Sequence, residues 1–481
     1  MSVPKLYLGA ARAIGAKAAL SRLDLPAHHL VTHGVVVGTT GSGKTGFLTV
    51  MVEEALRNQV PVLIIDVKGD LPNLLLSFPD FSPELLLPWI DGFAPPGDTR
   101  SPESIAAELA HQRQQGLNAW GIAEPELQAF RRGTRMRVIT PGASAGELLH
   151  VLSSLERHSE RWNSDPEAAR DSLSAAVSLV LRLIGRDPDP AKSREHVLLM
   201  VLAERRLSMG QSAQLEALLD DITRPPVEKI GALTVDAFLP KGERKALAAS
   251  LNSLLASPSF ASWRQGTTLD IGSWFQPING KTPGIILSVA HLGDEERALV
   301  LGVVFEEILA WVRTQPGTQR LRALVVFDEV YGFLPPYPAN PPTKRPIVSL
   351  IKQARAFGVG VVLATQNPMD LDYRALGNAG LWCIGRLQTD ADRARVLDSI
   401  ADSSGDFGMK PAELADIVKR LTPRWFILRD SHSNAGLVFL QPRWTMTYMR
   451  GPMTRIEIRK ARELLEPKRV NAPIILEHGT V

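Results

Sequence analysis

Eight consecutive residues constrain this chain more than any other stretch: Gly38, Thr39, Thr40, Gly41, Ser42, Gly43, Lys44 and Thr45. They satisfy G-x-x-x-x-G-K-[ST] at every fixed position. The glycines let backbone N–H groups turn toward phosphate oxygens where a side chain would collide. Lys44 supplies a compact positive charge for the β- and γ-phosphates, and the Thr45 hydroxyl suits Mg²⁺. The context agrees. Val35, Val36 and Val37 form a β-branched run before the loop, and Phe47, Val50, Met51 and Leu56 recur at helical spacing over Lys44–Arg57 after it. A strand, a phosphate-binding turn and a helix in that order require an α/β fold, with ATP and Mg²⁺ as the expected cofactors.

Further strand patterns follow, ending in polar groups. Pro61–Asp66 closes on a carboxylate and leads into Asp66-Val67-Lys68-Gly69-Asp70, where doubly wound sheets place ligand groups. That turn reads equally well as a charged cap on a strand. Gly284–Val289, Ala323–Asp328, Val359–Ala364 and Leu381–Gly385 are buried-strand runs. Ala323–Asp328 leads into Asp328 and Glu329, expected as the metal carboxylate and the water-activating base. Val359–Ala364 leads into Ala364-Thr365-Gln366-Asn367, and an amide there is a candidate sensor of the γ-phosphate. Trp425–Leu428 and Gly436–Leu440 suggest an antiparallel hairpin at the sheet edge. Between the strand runs lies a segment rich in Leu, Ala, Glu and Arg with proline-marked breaks, expected to be a mostly helical insertion. The expected organisation is a lead-in at 1–30, a first motor part at 31–145, the insertion at 146–268, a second motor part at 269–445 and a basic tail at 446–481.

Composition bounds the rest. The 481 residues are 44% hydrophobic and 22% charged, which excludes a wholly disordered chain. One cysteine, Cys383, excludes an intramolecular disulfide framework. The ten histidines show no zinc-ligand spacing, and the nine tryptophans are scattered. No apolar run approaches a membrane span, and the first residues lack an apolar signal core, so a cytoplasmic protein is expected. Net charge is +3, but from Thr343 onward 21 Lys/Arg face 14 Asp/Glu, a hint of a polyanionic partner and equally of surface solvation. Leu207-Ser208-Met209-Gly210-Gln211 resembles a transporter-ATPase signature but precedes Asp328 by more than a hundred residues, and it is read as coincidence.

The phosphate loop, the D-V-K-G-D turn, the V-V-F-D-E strand and the A-T-Q-N segment occur in the order of the HerA–FtsK superfamily of ATPases, and the chain resembles a bacterial HerA-like subgroup. The most specific stretch is Lys352–Gly360 running on to Ala364–Pro368. The resemblance implies a RecA-like P-loop motor with a mainly parallel sheet, assembled as a homo-oligomer, a hexameric ring around duplex DNA, and acting as a translocase or helicase. Carried across, Lys44 and Thr45 bind nucleotide and metal, Asp328 and Glu329 form the metal and water-activating pair, and Gln366 is the sensor. Arg355, or Arg386 after the next strand, stands where the superfamily has an arginine reaching a neighbour's phosphates. Either arginine also reads as a surface or salt-bridge residue. HerA proteins carry a β-barrel of roughly a hundred residues before the loop, and 37 residues precede Gly38 here, so a nuclease partnership through that barrel is not expected by this route. The alternative function is an ATP-dependent scaffold or regulator of a partner such as a nuclease in a defence system. A proline-rich segment, Pro335–Pro346, carries Lys344 and Arg345 between the catalytic elements and is expected either to grip a phosphate backbone or to form a subunit contact.

Overall fold

The computed structural model describes residues 3–90, 99–258, 260–372, 376–377, 379–401 and 410–465. Its centre is an eleven-stranded sheet. The strands are β1 (Lys5–Ala13), β2 (Ser21–Pro26), β3 (Gly34–Val37), β4 (Val62–Asp66), β5 (Thr134–Ile139) and β6 (Thr282–Ser288). They continue with β7 (Ala323–Asp328), β8 (Val359–Thr365), β9 (Leu381–Ile384), β10 (Phe426–Asp430) and β11 (Leu437–Pro442). The order across the sheet is β2-β1-β11-β10-β9-β3-β8-β7-β4-β6-β5. The seven strands from β9 to β5 run parallel, and the other four are antiparallel.

Buried parallel strands are apolar on both faces, because helices cover both. Alternation along each strand then feeds two cores. Val35, Val37, Leu63, Ile65, Val325, Phe327, Val361 and Leu363 join one apolar cluster. Their neighbours Val36, Val62, Ile64, Leu324, Val326, Val362 and Ala364 join the other. The second face is closed by α1 (Lys44–Arg57), through Phe47, Leu48, Val50 and Met51. It also receives α2 (Pro102–Asn118), through Ala110 and Leu117. The first face receives α4 (Asp294–Arg313), on which α3 (Pro166–Leu183) packs.

Residues 146–268 are mostly helical. Helices Pro166–Leu183, Arg194–Ser208, Leu215–Thr223 and Lys241–Ala256 dominate them. Their two ends meet in a short parallel pairing of Leu149–His150 with Thr267–Thr268, so the segment leaves and returns at one place. The Leu207–Gln211 stretch begins in the last turn of one of these helices.

Two expectations need correction. The β10–β11 hairpin forms, but it is not the edge of the sheet: β1 pairs with β11 and β2 lies outside β1. The residues expected as a lead-in thus supply the edge hairpin. Of the basic tail, residues 466–481 lie outside the described residues, and the rest docks on the body. Arg459 donates to Ser144, and the Lys460 ammonium stands 5.1 Å from the Trp89 ring centroid. No helix among the described residues is long and apolar enough to cross a membrane.

Candidate nucleotide site

Parallel register brings the chemistry together. Asp328 at the end of β7 is paired with Asp66 at the end of β4, and Thr365 at the end of β8 with Val37 at the end of β3. The carboxyl ends of four adjacent strands therefore converge where ligand groups gather in open α/β sheets.

The phosphate loop leaves β3 here. Gly43 has φ +98°, a left-handed conformation that L side chains rarely adopt, and a Cβ on it would press within 3.2 Å of Arg424. A Cβ on Gly38 would come within 2.7 Å of the Ser42 hydroxyl. That hydroxyl is buried with no hydrogen-bond partner in the protein, an orphaned group of the kind a bound oxyanion satisfies. The Lys44 ammonium donates to the carbonyls of Gly38 (2.5 Å) and Thr39 (3.2 Å), and burial pushes its pKa down to about 8.

The Thr45 hydroxyl, in the first turn of α1, donates to Asp328 Oδ2 at 3.3 Å. Burial raises Asp328 to about 6, with Lys68 opposing. A hydroxyl and a carboxylate at this separation are two hard oxygen donors, the share of ligands a protein gives Mg²⁺ when phosphates and waters supply the rest. Among the described residues, no three His, Cys, Asp or Glu side chains group closely enough to hold a metal by themselves.

Glu329 follows with φ +65°, a strained setting for a non-glycine residue. Its carboxylate is held from three sides. It accepts from the Gln366 side-chain amide (2.7 Å), from the Gln366 backbone N–H (3.1 Å) and from the Thr365 hydroxyl (3.2 Å). Lys68 adds an ion pair at 2.7 Å. Gln366 in turn accepts from the Thr40 hydroxyl of the phosphate loop. One side chain therefore touches both the loop that cradles phosphate and the carboxylate expected to activate water.

Lys68 was not among the expected site residues. Its signal was the charged D-V-K-G-D turn, but only the β4–β7 register reveals its partner. Asp66 in that turn is fully buried, accepts from Gly69 N–H and the Ser288 hydroxyl at 2.9 Å each, and is raised by burial to about 6. It braces the turn that presents Lys68.

The two candidate arginines stand at opposite ends of the sheet. Arg386 is beside its own phosphate loop, where its carbonyl accepts from Thr39 N–H at 2.9 Å. Arg355 lies exposed in the turn Ala354–Phe357 before β8, separated from Gln366 by the whole strand, roughly 20 Å at about 3.3 Å per residue. The basic pair of the proline-rich segment is ion-paired within the chain. Lys344 opens α5 (Lys344–Gln353), is only 14% exposed and pairs with Asp372 at 3.2 Å. Arg345 pairs with Asp171 (2.9 Å) and Glu306 (3.1 Å). The Arg345 contacts tie α5 to the helical layer, while the Arg345 side chain stays 61% exposed.

A strand–loop–helix phosphate cradle, with a carboxylate pair two strands away and an amide on the strand between, defines a P-loop protein of RecA-like fold. The sequence comparison narrows the class: residues 18–104 match the family model described as the central domain of helicase HerA, so the resemblance read from the motifs is borne out over that segment. No curated protein matches the chain in sequence. Among solved structures, the fold is similar to VirB4 of Thermoanaerobacter pseudethanolicus, at 12% identity and TM-score 0.53, covering 93% of this chain and 99% of that one. The plasmid coupling protein TrwB in complex with ADP and Mg²⁺ matches at 15% identity and TM-score 0.49, over 89% of each chain.

Proposed function

We propose that the chain is a Mg²⁺-dependent ATPase, a HerA-like motor that works as a ring on double-stranded DNA. The observation that carries the reading is the Thr40–Gln366–Glu329 relay beside the Thr45–Asp328 pair. ATP would lie with its β- and γ-phosphates at Lys44 and the loop amides, and Thr45 and Asp328 would hold Mg²⁺, which neutralises phosphate charge when bound. Glu329, fixed by Gln366, Thr365 and Lys68, is placed to orient and deprotonate the attacking water. Gln366 would sense the γ-phosphate and pass its presence to the carboxylate. Arg355, at the far end of β8, can meet a phosphate site only on another copy of the chain, which supports a trans role for it over Arg386.

A second reading is an ATP-driven scaffold or regulator of a partner protein. The pairing of Lys344 with Asp372 and of Arg345 with Asp171 and Glu306 favours it, because both cations already hold carboxylates. Steady-state ATP hydrolysis with and without duplex DNA separates the two. The motor requires DNA to raise the rate severalfold or more, and an unchanged rate with DNA demonstrably bound or absent would leave only the switch.

A further inference from the structure

Resting on the nucleotide reading above, one cavity beside the phosphate loop remains without a role. It holds about 280 Å³ and is lined by Gly43, Gly46 and Phe47 of the loop and α1, by Arg113 of α2, and by Arg424 and Trp444. Asp328, Glu329 and Gln366 do not line it. A nucleotide whose terminal phosphates meet those three residues must carry its sugar and base away from them, past the first turn of α1.

Gly46 marks the passage. Glycine inside a helix destabilises it by roughly 0.5–1 kcal/mol relative to alanine, yet a Cβ here would meet nothing within 4 Å. Packing within the protein does not demand this glycine, and the space beside it is open.

Trp444 is a fixed platform. Its ring lies directly on the backbone of α2, since a Cβ on Gly116 would sit 2.3 Å from it. Arg113, one turn away, has its guanidinium 5.2 Å from the ring centroid and donates to the carbonyls of Thr445 (2.6 Å) and Thr447 (3.2 Å). The preceding residue, Arg443, is bolted to Glu53 and Glu54 of α1 at 2.9 Å each. Arg424 reaches over from the loop side: its N–H donates to the Ser42 carbonyl at 2.9 Å, its guanidinium carbon is 5.5 Å from the Trp444 centroid, and its φ is +64°. A non-glycine residue in that conformation is a strain found at ligand clamps.

We propose that this cavity is the nucleobase subsite, in which a purine stacks against Trp444 with the Arg424 guanidinium alongside. A π-face and a cation recognise aromatic area, not a donor–acceptor pattern, so adenine and guanine are accepted alike and the smaller pyrimidines bind less well. Dissociation constants for ATP, GTP, CTP and inorganic tripolyphosphate, each with Mg²⁺, test this by calorimetry on the full chain. Wild type binds ATP and GTP within a few-fold of each other and CTP more weakly. Trp444→Ala weakens ATP about ten- to a hundredfold, the range for one lost base–aromatic stack, while tripolyphosphate affinity holds. Gly46→Leu, which fills the passage with a better helix former, gives the same selective loss, whereas Lys44→Ala weakens both ligands. Unchanged ATP binding in Trp444→Ala and Gly46→Leu, equal loss of ATP and tripolyphosphate in both, or rejection of GTP by wild type overturns the subsite while the ATPase reading stands. Failure of wild type to bind either ATP or tripolyphosphate overturns both.

Discussion

Lys44 is a buried ammonium whose partners are carbonyls of its own loop, so its charge is positioned by the backbone turn and not by an acid. Lys44→Ala is therefore expected to lose nucleotide affinity and hydrolysis together, and near-wild-type turnover at saturating ATP would refute the assignment. Lys68 differs. Its ammonium grips Glu329 at 2.7 Å while remaining a third exposed, which makes it a positioning residue. Lys68→Ala should lower kcat on the order of tenfold with KM for ATP almost unchanged; a rise in KM alone would place Lys68 on substrate instead. Lys44, Thr45, Asp328 and Glu329 were legible in the sequence because each belongs to a local pattern. Lys68 and the proposed role of Trp444 were not, since they depend on residues hundreds of positions away: Glu329 for one, Gly116 for the other.

At the scale of elements, the central strands were readable because burial on both faces leaves continuous β-branched runs such as Val359–Thr365. The N-terminal hairpin was not, because Gly9, Ala10 and Ala11 give β1 little side-chain signature and its partner β11 is more than 420 residues on. The ion pairs of Lys344 and Arg345 were not legible because their acidic partners, Asp372, Asp171 and Glu306, lie on other elements. Another long-range tie makes a pH prediction. His33, just before β3, accepts from Val361 N–H through Nδ1 (3.2 Å), and its Nε2–H donates to the Ile351 carbonyl (2.8 Å). Burial lowers its pKa from 6.5 to about 4. Neutral His33 thus contributes stability that is fully present above pH 6.5 and is lost as pH falls through that interval toward 4, up to about 3 kcal/mol. Chemical denaturation between pH 7 and 4 should show this slope in wild type and a shallower one in His33→Asn; parallel slopes would rule it out.

For the whole molecule, the sheet places Arg355 and the Glu329–Gln366 cluster at opposite ends, so in the proposed ring Arg355 would serve the site of a second copy. Arg355→Ala and Glu329→Gln chains, each inactive, should regain part of the activity when mixed, because some interfaces then pair an intact arginine with an intact glutamate. No recovery in demonstrably mixed assemblies would make Arg355 structural. All of this depends on Glu329 being the group that activates water. The most direct measurement is ATP binding and steady-state hydrolysis by Glu329→Gln beside wild type. Binding within a few-fold of wild type and turnover lower by about 10²-fold or more are expected. Collapse of ATP affinity with turnover at saturation intact would contradict the proposed site.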